Sequence, residues 1–90
     1  MNSRLRPLWT DETGYEPFAM PGGYPIAYIT SDGEQQCAEC ATATEWNRSD
    51  GQQIDYYPVD FEILYDSEDA AFMPCSDCYQ LIDPARRPKI

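Results

Sequence analysis

Ninety residues allow one domain at most, and a chain this short buries only a little over roughly 60% of its unfolded surface, which leaves a marginal core. It carries 16 acidic against 6 basic residues, a net charge of −10, and no histidine. That balance argues against direct nucleic-acid binding, because phosphates are held by Lys and Arg, and it leaves no imidazole as a general base near neutral pH.

The charge is uneven. Arg4, Arg6, Arg86, Arg87 and Lys89 lie at the ends, and between Pro7 and Ala85 a single base, Arg48, stands among all 16 acids, a net of −15. No stretch approaches the ~18 apolar residues of a membrane span. Met1–Pro7 carries some positive charge with no apolar run behind it, unlike a secretory signal. The expectation is a cytoplasmic protein in a reducing compartment, where cysteines stay as thiols or bind metal.

Residues 1–23 read as an extended N-terminal arm, since Pro7, Gly14, Pro17, Pro21, Gly22 and Gly23 interrupt any regular period. Leu8, Trp9, Tyr15, Phe18 and Met20 are nevertheless large and apolar, so part of the arm is expected to lie over the domain and complete its core. Tyr24–Thr30 is rich in β-branched and aromatic residues and predicts a strand. Asp32-Gly33 predicts a tight turn into a returning strand, Glu34–Gln36, which runs into Cys37. Ala41–Trp46 predicts a short helix of about two turns, with Trp46 as its anchor in the core. Asn47–Gly51 reads as a loop.

Further on, Val59, Phe61, Ile63 and Tyr65 alternate with Asp60, Glu62 and Asp66, the mark of a half-buried strand that Leu64 interrupts. Ile54–Tyr57 predicts a preceding strand ended by Pro58. Ser67–Ala70 predicts a turn, and Ala71–Pro74 a strand into Cys75. Both halves share one plan: strand, acidic turn, strand, cysteine pair. Leu81 and Ile82 are expected to close the core, and residues 83–90 form a basic flexible tail, leaving 24–82 as the folded domain.

All four cysteines fall into two C-x2-C pairs, Cys37/Cys40 and Cys75/Cys78, separated by the 34 residues 41–74. Each pair can present two thiolates to one ion, and two pairs complete a tetrahedron at about 2.3 Å per Zn–S bond. The reading is one structural zinc ion held by Cys37, Cys40, Cys75 and Cys78, with the fold dependent on it. Rubredoxin-type iron accepts the same ligands. Such turns usually carry glycine after the second cysteine, where this chain has Ala41 and Tyr79. A thiol–disulfide enzyme would need one pair opening a helix and would leave the other unexplained. Four thiolates close a zinc site to substrate, and no phosphate-cradling loop or nucleophile elbow occurs, so the chain reads as non-enzymatic.

The run Tyr24-Pro25-Ile26-x-Tyr28-Ile29-Thr30-x-Asp32-Gly33 before Cys37, with Val59-Asp60-Phe61-Glu62-Ile63 before Cys75, resembles small phage and bacterial zinc-ribbon proteins. The likeness covers about residues 22–82. It implies a small β-rich zinc ribbon (α+β, metal-stabilised) with two β-hairpins, each leading into a C-x2-C knuckle, and one short helix. It also implies a phage-type accessory protein, resident in the host cytoplasm if phage-encoded. Of the family's positions only the four cysteines carry over. The expected activity is capture of a protein partner through tyrosine-rich strand surfaces and the apolar N-terminal arm. The alternative is an acidic mimic of nucleic acid that occupies a basic groove on a host enzyme, motivated by the −15 body.

Overall fold

The structure, a computed structural model, describes residues 3–19, 22–65 and 73–83. A 3-10 turn at Arg6–Leu8 leads into β1 (Trp9–Thr10) and β2 (Gly14–Tyr15), followed by β3 (Phe18–Ala19), β4 (Tyr24–Thr30) and β5 (Gln35–Gln36). Helix α1 spans Ala38–Ser49, and β6 spans Pro58–Ile63.

Strand β4 is the spine. Tyr28 pairs with both Gln36 of β5 and Phe61 of β6, which puts those strands on opposite edges of β4. Both pairings are antiparallel, as is that of β3 with the start of β4. Side chains alternate across a strand, and here the alternation divides the core in two. Ile26 and Tyr28 join a cluster with Leu5, Tyr15, Ala38 and Ala41. Ala27, between them, faces a second cluster of Cys37, Leu64, Cys75 and Ile82. The smallest side chain of the strand thus lies against the cysteines.

The segment read as an extended arm contributes to that core. Leu5 and Tyr15 are buried, and Trp9 packs edge-on against Tyr15 at a centroid distance of 4.9 Å. Its prolines and glycines restrict it to two-residue strands, with β1 and β2 joined antiparallel through Trp9↔Tyr15 and Thr10↔Gly14. Gly14 has φ +84°, and a Cβ there would lie 2.1 Å from Thr42 Cγ2, so only glycine lets this strand reach the helix.

The helix is longer than the Ala41–Trp46 expected, because it begins immediately after Cys37 and takes in Cys40. Glu39 in the first turn and Arg48 in the last complement the helix dipole, and Gly51, at φ +92°, follows its end. Trp46 is not the core anchor: it is 46% exposed. The buried stripe is Ala38, Ala41, Thr42 and Glu45, at i, i+3, i+4 and i+7, and these mostly small residues bring the helix close to β4. Trp46 sits at the rim of that stripe, with its ring centroid 6.3 Å from that of Trp9.

No strand forms at Ile54–Tyr57. Strand β6 ends at Ile63, so Tyr65 leaves the expected face and stacks edge-on against Tyr24, with centroids 4.9 Å apart. Leu64, the residue that broke the polar alternation, is buried beside the cysteines. The turn expected at 67–70 and the first half of the strand expected at 71–74 lie outside the described residues, as does the tail beyond Asp83. Pro74 forms a single antiparallel bridge with Leu81. No helix among the described residues is long and apolar enough to cross a membrane.

Candidate metal centre

Cys37 follows β5 and is the N-cap residue of α1, in extended conformation at φ −74° and ψ 165°. Cys40 is three residues on, where a helix returns side chains to the same face. The Cys37 carbonyl accepts the Ala41 N–H at 2.9 Å and closes this first turn. The second pair sits in a narrow loop. Cys75 N–H donates to the Gln80 carbonyl at 2.7 Å, Tyr79 N–H to the Cys75 carbonyl at 3.0 Å, and Ile82 N–H to the Met73 carbonyl at 2.9 Å. Strand β5 holds this loop directly: the Gln35 carbonyl accepts both the N–H and the hydroxyl of Ser76, at 2.9 and 2.8 Å.

These contacts bring all four sulfurs within 4.8 Å of one another. The Sγ atoms of Cys37 and Cys78 are 3.9 Å apart. A tetrahedron with bonds of about 2.3 Å has edges of about 3.8 Å, so this edge fits a Zn–S₄ centre. A disulfide needs roughly 2.05 Å, and all four cysteines are free. Cys37 and Cys75 are buried, Cys40 is half-buried, and Cys78 is exposed. The four cysteines could therefore hold one metal ion, as their spacing in the chain suggested.

The thiols divide the negative charge unequally. The hydrogen bond from Cys37 holds the Cys75 thiol down to about 4, helped by the backbone N–H groups of Cys78, Cys37 and Asp77 and opposed by burial. The same bond, with burial, pushes Cys37 well above the usual thiol range. Burial also drives Cys40 up to about 12. Four sulfurs this close cannot all ionise alone, and a soft divalent cation is the partner that would let them. Cys37 opens a helix after a strand, as a reactive thiol–disulfide cysteine does. Its raised pKa is the reverse of what that chemistry requires.

Sequence reading missed the residues that support the sulfurs: Gln36, Thr44, Ser76 and Asp77. Their spacing carries no pattern, because they meet only once the two halves are folded. No known protein family, characterised protein or solved structure matches this chain.

Proposed function

We propose that Cys37, Cys40, Cys75 and Cys78 hold one zinc ion as a closed structural site, and that the chain is a small non-enzymatic zinc ribbon working through contact with a protein partner. The spacing of the four sulfurs carries this reading: it leaves no protein-free position of the kind a catalytic zinc keeps for water. When bound, zinc supplies cross-linking strength between two ends of the domain that meet across Ala27. Contact with a partner is supported by the large apolar rings left in solvent, Tyr24, Trp46, Tyr56, Tyr65 and Tyr79, since tyrosine and tryptophan are enriched at the cores of interfaces. A role as a phage-type accessory protein rests on the resemblance of its strand and cysteine pattern.

Metal content and fold measured on one preparation test the proposal. One zinc per chain is expected, with loss of far-UV and aromatic signals on chelation, because binding worth roughly 10–16 kcal/mol matches or exceeds the ~5–15 kcal/mol of an ordinary domain. A chain that kept those signals after complete zinc removal would overturn the structural role. Partner capture is expected to survive a rise in ionic strength, and steep weakening with salt would instead favour the acidic-mimic alternative.

A further inference from the structure

Gln36 is a fully buried polar residue immediately before Cys37. Its Nε2 donates to Asp77 Oδ2 at 2.6 Å, in the turn between Cys75 and Cys78, and to Thr44 Oγ1 at 3.4 Å. Thr44 donates in turn to the Cys40 carbonyl at 2.9 Å, and the Asp77 N–H points at Cys75 Sγ from 3.4 Å. A single amide therefore links the helix that carries the first cysteine pair to the turn that carries the second.

The other end of that amide has no partner. Gln36 Oε1 is buried with no hydrogen bond among the described residues. Turning the amide over would set Oε1 against the Asp77 carboxylate, two acceptors face to face, so Asp77 fixes the orientation that leaves the oxygen alone. Leucine would fill this place without stranding an acceptor. What glutamine adds is the charge-assisted bond to Asp77, the stronger kind of hydrogen bond. The backbone of Gln35 already holds Ser76, whatever its side chain, so the Gln36 amide is the side-chain half of the same grip.

We propose that Gln36 is a positioning residue whose amide, bonded to Asp77, holds the Cys75/Cys78 pair at ligating distance from the Cys37/Cys40 pair. This rests on the metal-site reading above. It assigns part of the site's affinity to a side chain that never touches the ion, as outer hydrogen bonds do around other metal centres.

Asp77 is exposed, so its substitution separates the hydrogen bond from core packing. Asp77→Asn and Asp77→Ala both remove the carboxylate charge, but only asparagine leaves an oxygen for Gln36. Zinc affinity of the full chain would be read by competition with a chromophoric chelator, and the geometry of the site by its cobalt(II) spectrum. Asp77→Ala and Gln36→Met are each expected to bind zinc about 10–100-fold more weakly than wild type, with a weakened tetrahedral cobalt band. Asp77→Asn is expected to recover at least about fivefold of the alanine loss, and Asp77→Ala to add less than about twofold in the Gln36→Met background. Equal affinities of the asparagine and alanine variants, or fully additive losses, would overturn the proposal. If Gln36→Met does not fold, the two Asp77 variants decide alone. A wild-type chain that took up neither zinc nor cobalt would sink the metal reading itself, an outcome distinct from normal wild-type binding with insensitive variants.

Discussion

Tyr79 shows how one residue type can be right by position and costly by conformation. Glycine is expected after the second cysteine of each pair, and the chain has Ala41 and Tyr79 there. The two departures differ physically. Ala41 lies inside α1, where the backbone is helical and alanine is the best residue available. Tyr79 follows a tight turn and adopts φ +62°, the left-handed region that glycine enters freely. Its ring is 82% exposed and recovers little by packing. Relief of about 1–2 kcal/mol of left-handed strain exceeds the ~0.5–1 kcal/mol entropic cost of glycine. Tyr79→Gly is therefore expected to stabilise the zinc-loaded protein by about 0.5–1 kcal/mol, read as a higher urea midpoint at unchanged m. An unchanged or lower midpoint would mean that the tyrosine ring contributes contacts its exposure does not reveal.

At the scale of elements, burial of two phenols ties the stability of the β4–α1 layer to alkaline pH. Tyr15 is pushed up by burial, then by Glu45, whose carboxylate accepts its hydroxyl at 3.2 Å. Tyr28 is pushed up by burial, then by Tyr15 and Glu16, and its hydroxyl donates to the Glu16 carbonyl at 2.6 Å. A folded pKa above the unfolded value of about 10 gives stability that is complete below that pH and lost as pH rises beyond it. Denaturant midpoints are expected to fall from about pH 10 upward, with the Tyr15 and Tyr28 tyrosinate absorbance appearing only as the chain unfolds. Normal titration of all seven tyrosines in a folded chain would contradict the packing described. Strand β4 was legible because its aromatic and β-branched run is long and ends at Asp-Gly. The helix was legible as a helix but not in its extent, since nothing local says that Cys37 should cap it and Cys40 lie within it. Tyr15 was expected among the arm residues that complete the core, but Leu5 was not: it stands just before the 3-10 turn at Arg6–Leu8, and nothing local marks it as buried until it packs with Tyr15, Tyr28, Ala38 and Ala41. Trp46 was misplaced for a related reason: bulk suggested burial, whereas the helix face is set by Ala38, Ala41, Thr42 and Glu45.

Across the whole molecule, the two cysteine pairs were the clearest feature of the sequence, and their meeting point controls how protons and metal compete. The thiols of Cys37 and Cys40 are held above their ordinary range, so at neutral pH both are protonated in the metal-free chain, while the bond from Cys37 holds the Cys75 thiol below that range. Metal ligation requires thiolates, and these protons must leave when an ion binds. At least two protons per metal are therefore expected at neutral pH, one each from Cys37 and Cys40. Calorimetric titration with zinc in buffers of different ionisation enthalpy measures that number from the slope of observed heat against buffer heat. The same linkage makes log affinity climb by at least about two per pH unit near neutrality, so mild acid is expected to strip the metal. Fewer than about two protons released would mean that Cys37 and Cys40 are not both protonated in the metal-free chain or not both thiolates in the loaded one, and either outcome would contradict this account of the site.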